Sequence, residues 1–302
     1  MVNSSSGNYG NKNGNQNNYE NNYGTASTNS TNGKEAPNLR LEKKRVRFWQ
    51  LGYVLLAFVY MYLPIGVLTV FSFNVSPYPS RWDGFTLSWY TKFFANPKLT
   101  QGLLNSLSVA GVAVTVAAVL GTLTSVGLAR YYFPGKSLYR GMTYLPLITP
   151  DIAIAVATLI FFAGLKFKLS LATIIVAHIV FCLSYVAVVV SSRLAGLDPR
   201  LEEAALDLGA TPVQAFIRVL LPQLMPGIIS GCLLAFILSM DDFVIAYFTA
   251  GVESTTLPIA IFSSLRNGGV SPELNALSVV LIIASGIIAI IAEYVRSLGN
   301  RN

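Results

Sequence analysis

From residue 50 onward, long apolar runs alternate with short polar connections. The runs lie near 50–73, 103–129, 142–164, 169–191, 226–250 and 275–295. Each is close to the ~20 residues a helix needs to cross the hydrocarbon core. A helix also satisfies its own backbone polar groups, which lipid cannot do. The pattern therefore predicts an all-α integral membrane protein of six transmembrane helices. Pro64 inside the first run predicts a kink. In the second, Gly111, Gly121 and Gly127 predict close approach of a neighbouring helix.

Polar positions set the boundaries. Residues 1–38 are rich in Asn, Gly, Ser and Tyr without apolar periodicity, which predicts a disordered tail. It lacks the apolar core and cleavage site of a secretory signal peptide. Asn3-Ser4-Ser5 matches a glycosylation acceptor, a weak pattern in such a tail. A basic juxtamembrane segment, 39–49, follows with Arg40, Lys43, Lys44, Arg45 and Arg47, and 50–298 forms the membrane domain. With the N-terminus inside, the inner connections carry Arg130, Lys136, Arg140, Arg193, Arg200, Arg218, Arg296 and Arg301. The outer ones carry only Arg81, Lys92, Lys98, Lys166, Lys168 and Arg266. This bias predicts that both termini are cytoplasmic. Trp82, Phe85, Trp89, Tyr90, Phe93 and Phe94 predict a short helix on the outer membrane surface.

Composition agrees. The chain is 53% hydrophobic and 12% charged, against roughly 25% charged in a soluble domain. Its net charge of +7 flanks apolar runs, which is topology and not a nucleic-acid face. Cys182 and Cys232 sit inside apolar runs and read as small hydrophobes, with no spaced partners for a metal.

The connection 198–222, DPRLEEAALDLGATPVQAFIRVLLP, predicts two short helices and a tight turn. Asp198 caps the first, with Pro199 at its first position. Gly209 suits the left-handed position at its end. Thr211 and Gln214 form a capping box for the second, and Pro222 is expected to end it. Val213, Phe216, Ile217 and Leu220 fall on one apolar face. An ordinary connector has less reason for ordered caps. A DNA-binding helix-turn-helix also pairs helices in this way. Acidic Asp198, Glu202, Glu203 and Asp207 disfavour phosphate contact.

Glu203-Ala204-Ala205, Gly209, Val219, Leu221 and Pro222 reproduce the spacing of the EAA motif, and the chain resembles ABC importer permeases over about 50–298. The resemblance implies the type I importer fold with cytoplasmic coupling helices. It further implies that Glu203, Ala204, Ala205, Gly209, Leu221 and Pro222 couple to a cytoplasmic ATP-binding subunit. Pro150-Asp151-Ile152, Ser239-Met240-Asp241-Asp242 and residues 269–276, GVSPELNA, are more specifically similar to the second permease subunit of spermidine/putrescine importers. That resemblance implies a bacterial inner membrane location, a second homologous permease and an extracytoplasmic polyamine-binding protein. The Asn-rich tail has no counterpart in that family.

Independently of resemblance, the ionisable residues well inside the runs are Asp151, His178, Asp241 and Asp242, with no Lys or Arg. Charges at bilayer depth are costly and usually face a cavity or partner. An acidic set suits a cationic substrate, and Phe243, Tyr247 and Phe248 add cation–π surfaces. Asp151, Asp241, Asp242 and Tyr247 are thus candidate pathway residues. Asp151 also fits the first turn of a broken helix. Asp241 and Asp242, ~100° apart on a helix, cannot both face one narrow path. His178 reads as an interhelical hydrogen-bonder and Glu293 as interfacial.

No cofactor site is expected in this chain, and no catalytic constellation assembles around its single His. Phe133-Pro134-Gly135-Lys136-Ser137 ends like a P-loop, but Arg130 stands where the motif needs Gly, so a turn is expected. ATP and Mg²⁺ belong on a partner subunit. Three alternatives stay open: an ABC importer permease for another cargo, an ion-coupled secondary transporter, and a membrane scaffold without a pathway.

Overall fold

The computed structural model describes residues 37–77, 81–269 and 271–299, with the side chains of 37–48, 268, 292, 295, 296, 298 and 299 left aside. Residues 1–36, and with them most of the predicted disordered tail and the Asn3 acceptor, lie outside the described residues. So do Val270, Arg301 and the side chains of Arg296 and the 40–47 basic cluster. The chain divides into two units, Met1–Met61 and Tyr62–Asn302. The described part of the first is helical, the opening of α1 (Pro37–Phe71), which thus already includes Pro37 and Asn38. This helix runs on through Pro64, and its stretch Trp49–Phe71 is long and apolar enough to span a membrane.

In the second unit the helices are α2 (Ser88–Ala95), α3 (Pro97–Arg130), α4 (Lys136–Ile148), α5 (Asp151–Gly164) and α6 (Leu171–Ala195). After them come α7 (Arg200–Asp207), α8 (Pro212–Ala215), α9 (Leu221–Asp241), α10 (Val244–Thr249), α11 (Leu257–Gly268) and α12 (Pro272–Gly299). Among the described residues five helical stretches qualify as spans, and α4 with α5 makes a sixth only if that bent pair counts as one.

Two predicted spans are not straight helices. The run at 142–164 breaks at Thr149-Pro150, where Thr149 is extended (φ −78°, ψ 135°) and the two limbs meet at 115°. Proline disfavours helical geometry at the residue before it, which is why the break falls there. The run at 226–250 breaks after Asp241, and Asp242 is extended (φ −67°, ψ 119°).

Pro222 also behaves differently from expectation. It does not end the helix, because Pro212–Asp241 is one continuous helical stretch. Residues Phe216–Leu220 widen into a π-turn, with the Leu221 N–H donating to the Phe216 carbonyl five residues back. The wider turn absorbs the ring and the missing N–H of Pro222, so no helix end is needed.

At the centre α3, α6 and α9 pack on one another, with α12 on α9, α4 on α6, and α10 on α5. Ala113, Ala117, Ala155, Cys182, Val186, Leu224, Ala235 and Ile245 build this core. Lipid is as apolar as these side chains, so close contact and interhelical hydrogen bonds hold the helices together. A Cβ on Gly121 would lie 3.0 Å from a Val186 methyl and 3.1 Å from the Leu183 carbonyl. Gly111 and Gly127 have nothing within 4 Å of such a Cβ among the described residues, so of the three predicted glycines only Gly121 seats a neighbour in this chain. Nearby, Ser125 donates to the Ala187 carbonyl at 2.9 Å.

The predicted surface helix is α2, docked on α3 and α12. Trp89 Nε1 donates to the Asn74 carbonyl at 2.7 Å, Phe73 stacks on Phe85, and Phe93 is buried against Leu99, Leu257 and Leu274. Lys92 and Lys98 belong to this end of the bundle. Arg130, Arg140 and Arg193 belong to the other end, which carries α7.

Candidate functional site

The loop 198–222 folds as its caps require. Asp198 Oδ1 accepts from the Arg200 N–H at 3.0 Å, and α7 begins at Arg200, one residue later than the sequence reading. Ala210 N–H donates to the Ala205 carbonyl at 3.0 Å and Gly209 N–H to Leu206 at 2.9 Å. This paired closure needs a left-handed residue, and Gly209 supplies φ +86°. Next, the Gln214 N–H donates to Thr211 Oγ1 at 3.3 Å while Gln214 Oε1 accepts from the Thr211 N–H at 3.0 Å.

These bonds present a surface. Among the described residues of α7 no side chain is buried. Glu203 and Ala204 are exposed, and Leu208, Val213 and Ile217 stand out as large exposed apolar side chains. The predicted apolar face therefore splits. Leu220 is buried and Phe216 packs on the core, whereas Val213 and Ile217, like Leu208, are exposed. An exposed apolar patch with an acidic rim at a rigid turn is the form of a protein-docking site.

A second site lies where α9 gives way to α10. Here the adjacent aspartates separate. Asp242 turns back to cap α10: its Oδ1 accepts from Ile245 N–H at 3.3 Å and its Oδ2 from Ala246 N–H at 2.8 Å. The carboxylate also lies 3.3 Å from Nε2 of His178, which is buried on α6. The other ring nitrogen, Nδ1, is 2.7 Å from Ser239 Oγ. His178 thus ties α6 to α9 and to the helix break, as its lone position predicted. Asp241, by contrast, is exposed and has no hydrogen bond or ion pair among the described residues.

Aromatic rings gather just after it in the chain, from Phe243 on. Phe243 lies 5.3 Å from Tyr247 and 4.8 Å from Phe262, centroid to centroid, and Tyr247 lies 5.9 Å from Phe248. Tyr247 and Phe262 are both large and exposed. An unpaired carboxylate and open ring faces on neighbouring turns can hold an organic cation by charge and by cation–π contact. Asp151 is exposed in the first turn of α5, where it complements the helix dipole. Its helix packs against α10. The P-loop-like stretch is a turn: Gly135 takes φ +84° and Lys136 Nζ sits 4.5 Å over the Tyr132 ring.

Sequence reasoning did not find Phe262, which arrives from α11 with no local signal. It also did not find the contact between Arg130 at the end of α3 and Glu202 of α7, Nε to Oε2 at 2.8 Å. The capping role of Asp242 had a readable signal, a carboxylate three and four residues before two helical N–H groups, once the break was known.

Residues 117–298 match the family model described as binding-protein-dependent transport system inner membrane component. The putrescine transport system permease protein PotI of Escherichia coli (strain K12) is 42% identical over 82% of this chain and 91% of its own length. The spermidine/putrescine transport system permease protein PotC of Haemophilus influenzae is 38% identical over 84% of this chain and 98% of its own. Among solved structures, a chain of a bacterial ABC transporter that imports the polysaccharide alginate superposes with a TM-score of 0.59, at 15% identity, over 87% of this chain and 99% of that one. The last likeness is one of fold. The match over more than half the chain and the two close relatives settle the lineage that the EAA spacing implied: the chain belongs to the binding-protein-dependent transport system inner membrane components, the permease subunits of ABC importers.

Proposed function

We propose that this chain is a permease subunit of an ATP-driven polyamine importer, with spermidine or putrescine as cargo. The observation that carries the cargo is the exposed, unpaired Asp241, two residues before Phe243, whose ring gathers with Tyr247 and Phe262. A polyamine is a flexible polycation, and a carboxylate with ring faces binds one ammonium at a time without trapping it. The names of the two relatives point the same way. Asp242 serves as the clasp that fixes the helix break, and Asp151 lines the approach on α5.

In this reading Glu203, Ala204, Ala205, Gly209, Leu221 and Pro222 form and support the docking loop for a cytoplasmic ATP-binding subunit. That subunit supplies the ATP and Mg²⁺ site. A second homologous permease completes the pathway, and an extracytoplasmic polyamine-binding protein delivers the cargo. Both termini are on the cytoplasmic side of the bacterial inner membrane, as the basic residues on the α7 end favour. An ion-coupled carrier has no use for a docking loop, and a scaffold has none for an unpaired carboxylate at membrane depth.

The test is uptake by the complete transporter in vesicles. Labelled putrescine is competed with spermidine and with a neutral sugar, in wild type and in the Asp241→Asn variant. Competition by spermidine alone, and loss of uptake in an Asp241→Asn protein that still inserts, are expected. Equal competition by the sugar, or unchanged uptake by the variant, would overturn the cargo assignment.

A further inference from the structure

The docking loop is pinned to the bundle at one ionic contact. Arg130 Nε and Glu202 Oε2 are 2.8 Å apart, with both side chains about three-quarters shielded, at 27% and 21% exposure. Neither of these two atoms is open to solvent, and neither makes a hydrogen bond among the described residues, so the contact between them is purely ionic. Each charge also sits at the helix end that favours it. Arg130 is in the last turn of α3, and Glu202 is in the first turn of α7. Apart from this contact, α7 touches mainly the segment Pro212–Leu220 that follows it.

What lies beyond the pin gives it meaning. Helix α3 runs from Arg130 to the opposite end of the bundle. There Asn105 Nδ2 donates to the Thr255 carbonyl at 2.9 Å, and Ser106 Oγ accepts from the Leu257 N–H at 2.9 Å. Leu257 opens α11, which carries Phe262 into the aromatic cluster. One rigid helix therefore connects the docking loop to the element that bears a wall of the cargo site. Beside the pin is a cavity of about 480 Å³ lined by Arg130, Arg140, Tyr144, Ser191 and Pro199.

We propose that the Arg130–Glu202 pair is the pin that transmits displacement of the docking loop to α3, and so couples the ATPase to the aromatic cargo site. Both residues are positioning residues, since neither touches cargo or nucleotide. The proposal rests on the reading of 198–222 as the ATPase-docking loop. Glu203 and the outward Leu208, Val213 and Ile217 carry the docking itself, so loss of the pin leaves association intact and damages only transmission.

The experiment uses the complete transporter in proteoliposomes, and reads ATPase association, ATP hydrolysis and uptake separately. Arg130→Gln and Glu202→Gln are expected to retain the ATPase subunit and to raise ATP consumed per cargo molecule about fivefold or more, since a shielded charge loses its partner. The exchanged pair Arg130→Glu with Glu202→Arg is expected to recover to within about twofold of wild type, as a direct pairwise interaction requires. Wild-type stoichiometry in both single variants, or an exchange no better than either single, would overturn the pin. If a Gln variant fails to insert, Arg130→Lys keeps the charge and is expected to stay coupled. Hydrogen exchange of the α7 amides in Arg130→Lys then decides: protection like that of wild type supports the pin, and protection lost with coupling intact overturns it. Failure of the docking reading looks different, because Glu203→Ala and Gly209→Val would then leave ATPase association unchanged.

Discussion

Adjacent carboxylates can sit in opposite surroundings, and Asp241 and Asp242 do. Asp242 spends its lone pairs on the N–H groups of Ile245 and Ala246, and its carboxylate lies 3.3 Å from His178 Nε2. Asp241 spends none within the described chain. The sequence placed both in an apolar run and required that they diverge. It could not choose, because the choice depends on a helix break that has no proline to announce it. At 149–150 the proline is present and the break was half legible in the Asp151 reading. Asp241→Asn is expected to lower polyamine uptake by about tenfold or more, as removal of a charge-assisted contact does, with normal membrane insertion. Asp242→Asn retains an acceptor for the cap and is expected to keep most of the uptake. Asp242→Ala loses the cap, which costs about 1–2 kcal/mol, and should lower the melting temperature of the purified protein. Uptake and melting curves of the three variants check this; Asp242→Asn losing as much uptake as Asp241→Asn would contradict it.

At the scale of the element, local rules made the loop 198–222 readable in advance. Asp198, Gly209, Thr211 and Gln214 each act within four residues of themselves, so their spacing carries their structure. Pro222 was misread because its consequence is not local. Its strain passes into the π-turn Phe216–Leu220, and α9 continues past it. A β-branched residue at φ +86° costs about 1–2 kcal/mol, so Gly209→Val should loosen the turn and reduce co-purification of the ATPase subunit. Undiminished co-purification would contradict the docking role. Pro222→Ala restores an N–H and removes the need for the wide turn. A regular helix there would rotate Val213 and Ile217 by ~100° relative to α9, so this variant should also lose ATPase binding while inserting normally.

For the molecule as a whole, apolar run lengths made the membrane class legible and five of the six spans, the sixth only as the bent α4–α5 pair, because lipid thickness fixes helix length. Interhelical contacts were not legible. Gly111, Gly121 and Gly127 look alike in sequence, yet among the described residues only Gly121 of the three meets a neighbouring helix. Adding bulk there, as in Gly121→Leu, should destabilise the purified subunit by about 1–3 kcal/mol through overpacking against Val186. Gly111→Ala and Gly127→Ala should stay within about 0.5 kcal/mol, and denaturation of the purified subunit in detergent distinguishes them. The aromatic site is likewise assembled from distant sequence, with Phe243 and Tyr247 following the α9 break and Phe262 coming from α11. In the proposed function the two sites work together: ATP hydrolysis acting through one end of the bundle moves a polycation past the other. Its most direct test is spermidine and putrescine uptake by the complete transporter in proteoliposomes, with ionophores collapsing every ion gradient. Uptake that requires ATP and persists without gradients is the predicted result. Uptake that proceeds without ATP and vanishes with the gradients would contradict it.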